Sequence, residues 1–332
     1  MSPLNTLVPS NTQSAPRLTR HYRNLSLILL LCGAWLFWAS HFHSPFDLIQ
    51  EYGRFVFLGI TGAIFANSTG AGGGVIFIPV FSSLNFSESQ SVATSFMIQC
   101  FGMTAGAISW SLYYKKRHLE DAAWSGFVKA ALLAAFFSVL GFWSSQLLQL
   151  NSPSSLHTSF SIFSIVLGIA IVISSKSSKS SKSSKSSKSS KSSKSSKSSK
   201  SSKSSTPITS TIRPVDFLWL ALIGYFGGII TAWLSVGVGE LVVIYLMLRG
   251  LCAKMAIATG VIVSAITVWS ASPIHIFSTN SHALFELVLF AGPGAVIGGL
   301  LARKLALYLP VKVLKLFFSI WIILTGSVML AS

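Results

Sequence analysis

The sequence predicts an all-α, polytopic membrane protein. It comprises two inverted repeats, each a glycine-broken (re-entrant) helix pair plus three transmembrane helices, with one extra N-terminal helix. Three observations predict this. Apolar residues make up 51% of the chain and charged residues only 10%, with a mean hydropathy of +0.65, whereas a soluble domain carries about 25% charged residues. The apolar residues fall in long blocks, many reaching the roughly 18–20 residues that cross about 30 Å of hydrocarbon. Finally, one block in each half is interrupted by a glycine-rich stretch, and the basic residues gather at alternate block ends.

A polar tail over 1–24 carries Arg17, Arg20 and Arg23, and an apolar run from Leu25 to Ala39 follows it. No small-x-small cleavage site comes next, so the run reads as an uncleaved anchor within a segment over 25–54. The remaining blocks lie at about 55–84, 92–114, 122–148, 156–173, 216–250, 254–276, 284–303 and 310–330. They divide into a first membrane repeat over 55–173 and a second over 215–332. Between them, at 174–214, sits a segment dominated by a Ser-Ser-Lys repeat. The repeat has no apolar residue to bury, and disorder is expected there.

The two interrupted blocks read Thr69-Gly70-Ala71-Gly72-Gly73-Gly74 and Ser235-Val236-Gly237-Val238-Gly239-Glu240. Glycine costs about 1 kcal/mol against alanine inside a helix, so each cluster should split its block into two half-length pieces. The halves align by inspection. Gly70-x-Gly72 pairs with Gly237-x-Gly239, Ala93-Thr94-Ser95 with Ala258-Thr259-Gly260, Ser138–Gly141 with Ala295–Gly298, and Phe163-Ser164-Ile165 with Phe318-Ser319-Ile320. Four matches in order indicate duplication.

Charge then sets the topology. Basic residues flank the cytoplasmic ends of membrane helices. If each broken block enters and returns on one side, all Lys and Arg except Arg54 and Lys129 fall on the cytoplasmic side, including Lys115, Lys116, Arg117 and the repeat. If each broken block crosses once, those groups face outward. The first arrangement gives each half an odd number of crossings and makes the repeat inverted. A hairpin of two short full crossings has the same parity, and the sequence leaves both open.

The formal charge is +17, but ten lysines sit in the Ser-Ser-Lys repeat. There is no basic helix and no aromatic platform outside the membrane blocks, so nucleic acid is not an expected partner. Cys32, Cys100 and Cys252 have neither metal-ligand nor disulfide spacing. No metal or cofactor is expected. The glycine stretch is not a P-loop, because apolar Val75-Ile76-Phe77-Ile78-Pro79 follows it. No Ser/His/Asp or His-Glu-x-x-His arrangement exists, so no enzyme is expected. His157, His275 and His282 fall in or near predicted outer loops and read as solvated.

What the breaks offer is anion binding. A half-helix that starts in mid-membrane presents free N–H groups and the positive end of its dipole. Glycines let a ligand approach that backbone closely. The candidate substrate-binding backbone is Gly70, Gly72, Gly73 and Gly74 in one half and Gly237 and Gly239 in the other. Asn67, Ser68, Thr69, Thr94, Ser95, Ser235 and Thr259 can add uncharged hydrogen bonds. Close helix packing is the competing reading of the glycines. Glu240 takes the place of Gly73 in this alignment. An acid at membrane depth costs at least about 2.5 kcal/mol unless paired or neutral. It is read either as an N-terminal helix cap or as the proton-coupling group, with its protonation linked to anion binding.

With these motifs in place, the chain resembles the TauE/SafE family, also called the 4-toluene sulfonate uptake permease family. The residues concerned are Gly59-x-x-Gly62, Gly70 to Pro79 and Ala93-Thr94-Ser95, with a weaker second copy starting at Gly224. The resemblance covers roughly 55–330. It implies a protein of the bacterial inner membrane that moves small sulfur-containing anions such as sulfite or organosulfonates, while the basic tail with Arg17, Arg20 and Arg23 reads as a cytoplasmic N-terminus. Export coupled to protons is the expected direction and drive, and the lipid bilayer the expected surrounding. A membrane-embedded binding or scaffold protein without transport, and an anion channel, are the alternatives.

Overall fold

The computed structural model describes residues 29–30, 32–42, 45–183, 211–277 and 282–331. The polar tail over 1–24, Ser184 to Ser210, and Ser332 lie outside the described residues. The chain divides into a unit over 1–48 and a unit over 49–332. In the first, residues 32–39 are helical, within the predicted anchor. A short helix, α1 (Pro45–Tyr52), leads into the second.

The second unit is helical throughout its described residues. Its first half comprises α2 (Phe55–Thr69), α3 (Gly74–Ser83), α4 (Glu88–Arg117), α5 (Phe127–Leu147) and α6 (Leu156–Ser183). Its second half comprises α7 (Pro214–Leu234), α8 (Val238–Leu248), α9 (Ala253–Phe277), α10 (Phe285–Tyr308) and α11 (Val311–Ala331). Among the described residues, five stretches are long and apolar enough to cross a membrane: α4, Ala122–Leu147, α7, α9 and α10. Parts of α6 and α11 form shorter apolar helices, Leu156–Val172 and Leu316–Ala331.

Local chemistry explains the helix ends. The α4 helix starts at a capping box in which the Ser87 side chain accepts from Gln90 N–H and the Gln90 side chain accepts from Ser87 N–H. Glu88 in its first turn and Lys115, Lys116 and Arg117 in its last match the helix dipole. Pro214 opens α7 at its first position, where no N–H is needed.

Two expectations are corrected. The α6 helix does not end before Ser174 but runs to Ser183, into the Ser-Ser-Lys repeat. Extending a formed helix costs far less than nucleating one, and serine and lysine tolerate it. The glycine breaks also do not give equal halves. The first block divides into 15 and 10 residues, the second into 21 and 11. At about 1.5 Å per residue, α7 alone spans roughly 30 Å.

Both broken blocks turn back on themselves. The Phe77 ring of α3 lies against Gly62 of α2. At the foot of the second pair, Asp216 near the start of α7 accepts hydrogen bonds from Tyr245 and Arg249 at the end of α8. The Asp216 side chain is only 3% exposed, so this ion pair clamps the two ends.

The helices pack in matched pairs. The α2 helix lies along α10 and α5 lies along α7; α10 also meets α4, and α5 meets α9. The α4 and α9 helices cross each other, as do α6 and α11. The glycine contacts repeat the same exchange. Gly59 lies on the Ala291 carbonyl and Gly224 on the Ala134 carbonyl; Gly298 lies on that of Ile60 and Gly141 on that of Tyr225. None of these four sites has room for a Cβ. Such close approach is how helices associate where lipid removes the hydrophobic drive.

Large apolar side chains face outward as well as inward. Leu132, Phe136, Phe226 and Leu300 are exposed on the outside, while Asn67, Ser95, Gln99, Ser235 and Glu240 are almost wholly buried. The polar side chains therefore point inward to one another, as expected where the surrounding solvent is lipid.

Candidate functional site

The polar interior centres on the two chain crossovers. The α2 helix ends at Gly70, whose left-handed conformation (φ 83°) lets its N–H cap the Ala66 carbonyl at 2.9 Å. The α7 helix ends in the same way at Ser235 (φ 57°), capping the Thr231 carbonyl at 2.9 Å. Each crossover then lies on the first turn of the other pair's second helix. A Cβ on Gly239 would sit 2.6 Å from the Gly70 carbonyl oxygen, and one on Gly74 would sit 2.5 Å from that of Ser235. The carbonyl end of one helix thus faces the positive end of another, twice over.

These reciprocal contacts correct the alignment. One offset relates Gly59 to Gly224, Gly70 to Ser235, Gly74 to Gly239 and Ala93 to Ala258. The pairing of Gly70-x-Gly72 with Gly237-x-Gly239 is two residues out of register. Glu240 therefore corresponds to Val75, not to Gly73. Serine can replace glycine at the left-handed cap, which hid the true register from inspection.

Four backbone donors at the starts of α3 and α8 are occupied by the protein's own oxygens. Gly72 N–H donates to Glu240 Oε1 at 2.8 Å, and Gly237 N–H donates to Glu240 Oε2 at 2.9 Å. One carboxylate thus bridges the two crossovers. Gly73 N–H donates to Gln99 Oε1 at 2.8 Å and Val238 N–H to Thr231 Oγ1 at 3.1 Å. Glu240 is 2% exposed and makes no ion pair among the described residues. Its countercharge is the pair of helix N-termini.

Gln99, on α4, was not among the residues the sequence pointed to. Its Nε2 donates to Ser95 Oγ (3.0 Å), Ser235 Oγ (2.8 Å) and the Ser235 carbonyl (3.1 Å), and Ser235 Oγ donates to Ser95 Oγ at 3.0 Å. Gln99 thereby ties one half's crossing helix to both crossovers. The available signal was spacing, since Ser95 and Gln99 stand four apart on one helical face.

The other sequence-selected residues divide. Thr69 caps locally, donating to the Phe65 carbonyl and accepting from Ala71 N–H at 3.3 Å. Ser68 bonds back to the Phe65 carbonyl and Thr259 to that of Met255, both inside their own helices. Asn67 clasps α2 to α4, with Nδ2 donating to the Gly102 carbonyl at 3.2 Å while its backbone carbonyl accepts from Trp110 Nε1 at 3.0 Å. Thr94, next to Ser95 in the chain, instead accepts from Leu284 N–H, just before α10, at 3.0 Å. His275 is not a loop residue: it lies on α9, half-buried, with its ring stacked on Phe96 at 4.9 Å. No cluster of His, Cys, Asp and Glu among the described residues is placed to hold a metal.

A narrow cavity of about 30 Å³ reaches Glu240 from the side of α8. Thr69 and Glu240 are its polar lining; Ala71, Ile171, Val243, Ile244, Met247, Ile257, Leu314 and Phe318 are the rest. It has room for a water or two. Ile171, Met247, Ile257 and Leu314 all lie toward the helix ends that lead to the Ser-Ser-Lys repeat, Arg249, Lys254 and Lys312.

Comparison with curated proteins and with solved structures finds no match for this chain. A family model does match, over residues 55–329, which is nearly the whole of the second unit and takes in both crossovers. The protein is a multi-pass membrane protein, and it belongs to the sulfite exporter TauE/SafE family.

Proposed function

We propose that this protein is a secondary transporter that exports small oxyanions, sulfite or organosulfonates, across the bacterial inner membrane. One observation carries the reading. A carboxylate, Glu240, is held between backbone N–H groups from both crossovers, Gly72 and Gly237. A site that seats one buried oxyanion on two helix N-termini has the donors to seat another. Gly73, Ser95 and Ser235 stand around it and supply further hydrogen bonds.

The finer architecture belongs to the same proposal. The α2–α3 and α7–α8 pairs are re-entrant, and the two halves form an inverted repeat. The exchange of α2–α10 for α7–α5 contacts supports this, as does the single offset relating the two crossovers. The N-terminus, Lys115–Arg117 and the cavity mouth face the cytoplasm in this reading, which the basic helix ends support.

Glu240 and the substrate compete for the same donors. An ionised carboxylate holds Gly72 and Gly237; a protonated one releases them. Protonation thus favours anion entry, and proton and anion become coupled. Flux of labelled sulfite in proteoliposomes of the purified chain tests the proposal. Saturable flux that rises as the pH on the cavity side falls is expected. Binding without flux would make the protein a receptor or scaffold, and single-channel currents would make it a channel.

A further inference from the structure

Resting on that reading, the offset between the halves carries the cavity beside α8 onto a second place in the molecule. Thr69, Ala71, Glu240, Val243, Ile244 and Met247 map onto Leu234, Val236, Val75, Ile78, Pro79 and Ser82. The match of α6 with α11 carries Phe318 onto Phe163. Four residues of the mapped set lie on α3, Leu234 and Val236 lie at the second crossover, and Phe163 lies on α6. In the structure this set is packed shut. Val75, Ile78 and Val236 are at most 1% exposed. At its rim Ser82 Oγ meets His157 Nε2 at 3.3 Å, joining α3 to α6, and Leu156 N–H donates to Glu88 Oε1 at 3.0 Å beside it.

We propose that this patch is a second vestibule for the substrate oxyanion, closed here, which opens at the end of α3 when the cavity beneath Glu240 closes. Two halves with the same packing exchange environments when the molecule inverts, because each half can adopt the arrangement its partner now shows. One site, the crossovers, then serves both faces in turn. The Ser82–His157 contact is the latch on the closed side. The vestibules differ at both polar wall groups: Leu234 stands where the other has Thr69, and Val75 where it has Glu240. An anion entering beside α3 meets no tethered carboxylate on that wall, whereas one beside α8 shares its wall with Glu240.

The test uses the full chain in proteoliposomes, with Cys32, Cys100 and Cys252 replaced by alanine. Ile78→Cys reports the second vestibule through reaction with a membrane-impermeant methanethiosulfonate, added on the side of the α3 C-terminus. Val236→Cys serves if the first variant does not fold. Ser82→Cys with His157→Cys, oxidised by copper phenanthroline, ties the latch. The reporter should react, and tying the latch should protect it. Sulfite flux should be lost with the latch tied and return on reduction. An inert reporter in the untied protein overturns the vestibule, and so does a tied protein that transports at the untied rate. A reporter that reacts and is protected, in a protein that moves no sulfite even untied, upholds the vestibule and overturns the substrate reading.

Discussion

The carboxylate of Glu240 accepts a hydrogen bond from the backbone N–H of Gly72, 168 residues earlier in the chain, at 2.8 Å. The same carboxylate caps its own helix through Gly237. The cap and the link between halves are therefore one group.

The structure separates two glycines that the sequence grouped together. A Cβ on Gly72 would lie 3.3 Å from Gln99 Oε1 and 3.5 Å from Glu240 Oε1, beside the oxygens of the site. One on Gly239 would press on the Gly70 carbonyl and on Ser264. Gly72→Leu should fold and insert but lose sulfite flux, because its side chain fills the space the anion needs. Gly239→Leu should lose folded protein instead. Size-exclusion profiles and flux measured side by side check both. Normal transport by Gly72→Leu would remove this glycine from the site.

Glu240→Gln fixes the neutral form. In the parent, falling pH protonates the carboxylate and frees Gly72 and Gly237 N–H, so sulfite flux should rise as the pH on the cavity side falls. The variant should bind sulfite and show flux that is flat with pH. A pH profile parallel to the parent's would place the coupling group elsewhere.

Gln99→Leu removes the acceptor of Gly73 N–H and the donor shared by Ser95 and Ser235. A buried N–H left without a partner costs about 1–3 kcal/mol. The variant should unfold at lower temperature in detergent, and added sulfite should protect it less than it protects the parent. An unchanged melting profile would show that Gln99 holds nothing in place.

Orientation is checked by labelling intact cells at single cysteines. With the repeat cytoplasmic and the α9–α10 connection outside, Ser180→Cys should resist an impermeant reagent and Asn280→Cys should react. Reaction at Ser180→Cys would invert or break the proposed repeat.

Sequence by itself determined the membrane class and the places where the helices break. It also marked Glu240 as an acid in the first turn of a helix. These are local or compositional properties: hydropathy over some twenty residues, glycine against helix, a carboxylate three residues after a cap. Only the tertiary structure decided that the second Glu240 oxygen goes to Gly72, that Gln99 joins α4 to both crossovers, and that Asn67 and Thr94 serve elsewhere. It also fixed the register of the halves, with Ser235 taking the place of Gly70 and Val75 that of Glu240. Side chains of the same kind are interchangeable in a sequence, and a backbone N–H carries no sequence signature at all. Which oxygen meets which N–H across more than a hundred residues follows from how the glycine contacts of α2, α5, α7 and α10 bring the crossovers together.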